Sequence, residues 1–134
     1  FTLEYFKTIK GRLTADGTFS QWIHSYDMDW FAFGMVGRTF AEVFPGGLLM
    51  KTQSSDYLLI GFSGKKNMDL ETAGKNIAYA KQSKNITIRN PRVIFDLIVS
   101  EDLKGFFGPG LSIQTTGPAL NLLPRRTLAK VTFP

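Results

Sequence analysis

Cysteine is absent from the chain and histidine occurs once, at position 24. The first absence excludes disulfide frameworks and thiolate metal sites and leaves the redox compartment open. The second excludes a multi-histidine metal centre. No run reaches the roughly eighteen consecutive apolar residues that a membrane-spanning helix requires. The opening Phe1-Thr2-Leu3-Glu4 has neither a charged-then-apolar leader pattern nor an initiator Met, so upstream sequence is expected. Internal repeats and low-complexity tracts are lacking as well.

What is present suits one compact, soluble unit. The chain has 134 residues, 43% of them hydrophobic, enough to bury a single core. Its net charge of +5 would favour a polyanionic partner if the cations were clustered. They are instead scattered: Lys7, Lys10 and Arg12, then Lys65 and Lys66, then Lys75, Lys81 and Lys84, then Arg125 and Arg126. A solvated surface accounts for that spread, and no nucleic-acid partner is expected.

Periodicity divides the chain into elements. Leu3, Phe6, Ile9 and Leu13 recur at helical spacing before a turn at Asp16-Gly17. Thr18 to Tyr26 is rich in β-branched and aromatic residues and reads as a parallel strand packed on both faces. Asp27 and Asp29 are both candidate N-caps for a helix with Phe33, Val36, Phe40 and Val43 on one face, stopped by Pro45-Gly46-Gly47. Leu48 to Thr52 and Tyr57 to Phe62 read as an antiparallel hairpin. Asp69 is placed to cap a helix through Ala73, Ile77 and Ala80, and Asn90-Pro91 to start another that buries Val93, Ile94, Leu97 and Ile98. Gly105 to Gly110 reads as a turn, since it lacks the Lys and Ser/Thr of a phosphate loop, and no periodicity is evident from there to Pro134.

The fold class expected is α/β, with residues 1–64 as part of a layered domain and residues 65–134 as a helical and loop extension packed on it. A parallel strand at Thr18 needs a neighbour that does not precede it in this sequence. Either sequence not present finishes the sheet, or another chain, a second copy included, covers the edge.

Three ordered runs carry a family resemblance. Leu13-Thr14-Ala15-Asp16-Gly17-Thr18-Phe19-Ser20-Gln21-Trp22-Ile23-His24-Ser25-Tyr26 resembles the L-x-P-x-G-x-x-x-Q-W-x-x-x-Y run of spermidine synthase homologues, especially those fused to a membrane region. Arg38-Thr39-Phe40-Ala41-Glu42-Val43-Phe44-Pro45 is similar to their R-T-F-x-x-V-F-P segment, and Asp56-Tyr57-Leu58-Leu59-Ile60-Gly61 to their D-x-L-L-I-G strand. Near the end, Thr115, Pro118, Leu120, Pro124 and Arg125 fit the closing motif, with Thr116 and Asn121 where that motif has acids.

The resemblance implies the C-terminal part of a Rossmann-like, S-adenosylmethionine-dependent methyltransferase fold, ending in a strand hairpin and trailing helices. It also implies a parent that transfers an aminopropyl group from decarboxylated S-adenosylmethionine to a polyamine. The glycine-rich loop, the ribose-binding acid and the catalytic Asp of that family all lie upstream of its counterpart of Phe1 to Phe6. By this reading the chain has no catalytic residue, no cofactor or metal of its own, and the N-terminal half of the same protein as its partner. The implied location is cytoplasmic, as the soluble part of a membrane-anchored parent where the homologues are membrane-fused. The alternative is a non-catalytic binding or assembly module that keeps the fold, which the changes at Thr116 and Asn121 motivate.

Four residues are candidates for substrate binding: Gln21, Trp22, Tyr26 and Asp27. They lie at the C-terminal side of the first strand, the edge where open α/β sheets place ligands. A carboxylate at Asp27 suits an ammonium, and the Tyr26 ring suits its methylenes. Three have a plainer reading: Trp22 as a core aromatic, which is the better expectation, Gln21 as a hydrogen-bond partner of a loop, and Asp27 as a helix cap. His24 reads as a surface or loop residue, Glu101-Asp102 as solvated helix-end charges, and Asn85-Ile86-Thr87 as a weak glycosylation acceptor match.

Overall fold

A computed structural model of the chain describes residues 1–65, 69–82 and 90–115. The closing run from Thr116 to Arg125, the acceptor match at Asn85-Ile86-Thr87 and the Ala80 side chain lie outside those residues.

Helix α1, Leu3–Lys10, begins where Thr2 accepts a hydrogen bond from the Tyr5 N–H and ends at Lys10, three residues before the expected limit, with Gly11 as its C-cap. Leu13 still packs against the core from the turn beyond. That turn is closed by Ser63, whose hydroxyl is within hydrogen-bonding reach of the Thr14, Ala15 and Gly17 carbonyls. It also needs a glycine, because a Cβ on Gly17 would come within 2.9 Å of Leu13 Cβ. Strand β1, Thr18–His24, follows. Helix α2, Trp30–Val43, is the central element and buries Phe33, Val36, Phe40 and Val43 as its periodicity predicts. Lys10 reaches its C-terminal end, donating to the Val43 carbonyl at 2.6 Å with its ammonium over the Phe44 ring, a cation placed where the helix carries unpaired carbonyls.

The hairpin forms as expected from β2, Leu48–Lys51, and β3, Asp56–Phe62. β3 also pairs antiparallel with β1 along its whole length, Thr18 opposite Phe62 through His24 opposite Asp56. Helix α3, Leu70–Gln82, is capped by Asp69, which accepts from the Thr72 N–H and hydroxyl, and those bonds hold its carboxyl below the usual range. Helix α4, Arg92–Asp96, leads to strand β4, Ile98–Ser100, which pairs with β2. Helix α5, Leu103–Phe107, lies against α2.

The sheet order is β1-β3-β2-β4, and every pairing among the described residues is antiparallel. The architecture is therefore mixed α/β, but this order is not that of a Rossmann sheet. The expectation of a parallel strand at Thr18 needs correction: the hairpin folds β3 back between β1 and β2, so β1 gains an antiparallel neighbour from downstream. Two further expectations change. No residue of α4 is buried, and Val93 is exposed, because the helix is only one turn long and the chain enters β4 at Ile98 to reach the sheet edge. The Gly105–Gly110 run is half helix, with Asp102 as its N-cap accepting from the Gly105 N–H at 2.9 Å.

One face of the sheet carries α1, α2 and α5 over an aromatic core. Phe6 and Phe40 meet edge to face at 5.1 Å, Phe40 and Phe44 lie 4.8 Å apart, and Phe33 and Phe107 extend the cluster at 5.8 Å. Such rings dominate core energetics through the area they remove from water.

Candidate functional site

Alternation along β1 sorts the candidate residues before any chemistry is considered, because successive side chains of a strand point to opposite faces. Phe19, Gln21 and Ile23 share the face of α1 and α2; Trp22 and His24 share the other. Gln21 accepts from the Tyr5 hydroxyl at 3.4 Å and donates its amide to the Trp22 carbonyl at 2.8 Å. It is thus parted from Trp22, although the two are adjacent in sequence.

Trp22 is 49% exposed, which overturns its expected place in the core. Its ring is tilted against that of His24 with centroids 5.1 Å apart, and His24 in turn lies nearly parallel to Tyr26 at 4.2 Å. Tyr26 is 62% exposed. The structure therefore brings together Trp22 and Tyr26 through His24, a strand residue rather than a loop one, with Asp56 opposite it across the ladder. Asp27 follows at the surface and does not cap α2; Asp29 does, accepting from the Ala32 N–H at 2.7 Å. Exposed ring faces attract a cation at about 0.5–1 kcal/mol for each contact, and the exposed Asp27 carboxylate follows Tyr26 in the chain.

A second group of polar residues converges on the segment from Phe107 to Thr115. Arg38 donates from Nη1 to the Phe107 carbonyl and from Nε to the Leu111 carbonyl, both at 3.0 Å. The buried Thr39 hydroxyl accepts from the Ile113 N–H at 2.8 Å and donates to the Met35 carbonyl at 2.6 Å. Leu3 donates its N–H to the Ile113 carbonyl, and the Glu4 carboxylate accepts from the Thr115 hydroxyl and N–H, the latter at 3.0 Å. Residues 107–115 are thereby strapped across α1 and α2. Beside the strap is a shallow concavity of about 310 Å³ lined by Arg38, Ala41, Glu42, Lys104 and Gly108 to Gly110; none of the four candidate residues lines it.

The Thr115 hydroxyl, and after it the backbone N–H groups, hold the Glu4 carboxyl down from 4.5 to about 2. Since the unfolded chain takes up that proton more readily, the clasp contributes fully above pH about 4.5 and is lost as pH falls towards about 2. Carboxyl-selective NMR titration is expected to give Glu4 the low midpoint, with Thr115 amide protection lost over the same window. In Glu4→Gln that protection should be reduced and flat with pH. A Glu4 midpoint at the usual carboxyl value would contradict this.

Among the described residues no three His, Asp or Glu side chains converge to hold a metal ion, and no helix is long and apolar enough to cross a membrane. Comparison with protein-family models, with curated proteins and with solved structures gives no match.

Sequence reasoning missed the roles of Arg38, Thr39 and Glu4. Their bonds span 69 to 111 positions, and no local pattern encodes contacts at that separation. The α5 start was accessible, since Asp102 stands three residues before Gly105 in the position of an N-cap.

Proposed function

We propose that this chain is the C-terminal portion of a spermidine synthase-like, polyamine aminopropyltransferase family protein, and that its chemistry belongs to upstream sequence. The observation that carries this reading is that one run resembling the family fastens the segment that leads into another. Arg38 and Thr39 of the R-T-F run bond the backbone of residues 107–113, which leads into Gln114-Thr115, where the closing run begins. The R-T-F run thereby sets where the closing run begins, beside α1 and α2. A Rossmann-like, methyltransferase-type sheet further requires a parallel strand beside β1. α1 leads into β1 as the helix of a right-handed β-α-β unit would, and such a strand would lie on the side of β1 away from β3.

In that parent the aminopropyl carbon leaves the sulfonium sulfur of decarboxylated S-adenosylmethionine for an amine nitrogen. The C–S bond breaks, a C–N bond forms, methylthioadenosine departs and the nitrogen loses a proton. Trp22 and Tyr26 would cover the methylenes of the amine, Asp27 would hold a distal ammonium, and Gln21 would steady α1 through Tyr5. The parent is taken as cytoplasmic, or as the soluble part of a membrane-anchored protein.

Calorimetry tests the reading. The 134-residue chain is expected to bind neither S-adenosylmethionine, its decarboxylated form nor methylthioadenosine, whereas the product of the longer reading frame binds at least one. A longer product that binds none would sink the enzyme reading. A non-catalytic binding or assembly module, which Thr116 and Asn121 favour, would then stand, with an upstream sequence lacking the glycine-rich loop and catalytic Asp.

A further inference from the structure

We propose that the concavity beside the strap binds a small zwitterion in which a short alkyl chain separates the two charges, with the carboxylate at Arg38 and Lys104 and the ammonium at Glu42. This goes beyond the family reading and does not depend on it.

The site is assembled from α2 on one side and from α5 and the strap on the other. Helix α2 supplies Arg38, Ala41 and Glu42, whose spacings of three and four put them on one helix face. Arg38 and Glu42 are thus neighbours of opposite charge, yet no ion pair forms between them. The guanidinium is turned to the strap instead, where Nε and Nη1 donate to the Leu111 and Phe107 carbonyls. Two glycines leave room for the planar group there: a Cβ on Gly34 would come within 2.9 Å of Nη1, and one on Gly110 within 3.0 Å of Cζ and Nε. The head group is therefore held before any ligand arrives. Nη2 is the nitrogen left to a ligand, since no described residue offers it an acceptor.

Two further charges line the same space. Glu42 and Lys104 are exposed, and neither side chain has a hydrogen-bond or ion-pair partner among the described residues. Opposite charges that share a concavity without meeting leave room for a molecule that meets both. The rest of the lining includes apolar surface from the buried Ala41 and from Pro109, which has no N–H to offer. Methylenes suit that surface, and a carboxylate and an ammonium suit the charges. With two cations to one carboxylate the site disfavours a diamine, which separates it from the amine reading of Trp22 and Tyr26. Its volume of about 310 Å³ is at the lower end for small-molecule sites, so the ligand is a molecule of a few carbons.

NMR of the 134-residue chain titrated with γ-aminobutyrate is expected to give saturable shifts at the Ala41, Glu42, Lys104, Gly108 and Gly110 amides, with Trp22 and His24 unmoved. Butyrate lacks the ammonium and butylamine lacks the carboxylate; each should move the same signals at several-fold higher concentration only. Two variants separate the charges at exposed positions whose side chains have no polar partner to lose. Lys104→Gln should weaken γ-aminobutyrate by up to about fivefold, the scale of an exposed charge contact. Glu42→Gln should make γ-aminobutyrate and butyrate bind alike. Arg38 is kept, because it also holds the strap. Shifts that never saturate, or that spread over the whole surface, overturn the proposal. Equal binding of butyrate and γ-aminobutyrate by the unaltered chain overturns it too, by reducing the concavity to an unselective anion contact.

Discussion

Replacing Phe40 with Ala should destabilise the fold by about 3–5 kcal/mol, the range for deleting a buried phenyl ring, and lower the melting temperature by roughly 10–20 °C. Phe40 is fully buried in the middle of α2, where its ring touches those of Phe6, Phe19 and Phe44. Those neighbours belong to α1, β1 and the end of α2, so no single element can move to fill the space. The residual cavity adds to the lost transfer energy instead of collapsing. A loss of that size is comparable with the whole stability of many domains, about 5–15 kcal/mol. Urea titration read by circular dichroism should therefore show the midpoint falling sharply, while Phe40→Leu falls much less because most of the volume is kept. A Phe40→Ala loss below about 1 kcal/mol would mean that the aromatic cluster is not the core of the fold.

That cluster was legible in the sequence because its helix is amphipathic in the ordinary way. Phe33, Val36, Phe40 and Val43 recur at helical spacing, and the turn residues after them end the helix where the Pro45-Gly46-Gly47 run predicts. The hairpin was legible for a similar local reason. What neighbours β1 was not: whether a strand pairs with a distant segment depends on where the hairpin folds, and the period of two looks the same beside a parallel or an antiparallel partner. Trp22 shows the limit for single residues. Its size predicts burial, yet it stands on the outermost strand, and strand order is not written in its immediate sequence. The candidate site was readable in part. Alternation along a strand expected to run to Tyr26 separates Gln21 from Trp22 and sets His24 beside Trp22, but the strand ends at His24, so Tyr26 meets the His24 ring from the turn beyond it. Choosing Asp29 over Asp27 as the cap depended on where helical geometry begins, a matter of two residues at a boundary.

Gly37 offers the sharpest test of the packing between α2 and α5, because its substitution should change sign with its neighbour. A Cβ at this position would overlap the Phe107 ring, meeting Cζ, Cε1 and Cε2 together. Phe107 cannot turn aside freely: it is in the core cluster, packs on Phe33, and its carbonyl accepts from Arg38. Exchanging glycine for alanine inside a helix contributes about 1 kcal/mol of stability through backbone entropy. Overpacking a filled core costs about 1–3 kcal/mol and sometimes more. With an overlap onto a held ring the second effect wins, and Gly37→Ala is expected to lower stability by about 1–2 kcal/mol. Phe107→Ala alone should cost about 3–5 kcal/mol. In that background the obstruction is gone and the new methyl enters the vacated space, so Gly37→Ala should now raise stability by about 0.5–1 kcal/mol. Four proteins measured in urea complete the double-mutant cycle, and the inversion isolates the steric term from helix propensity, which is common to both legs. If Gly37→Ala were stabilising in the wild-type background too, α5 would not be seated on α2 through Phe107, and the strap that Arg38 and Thr39 hold would need another anchor.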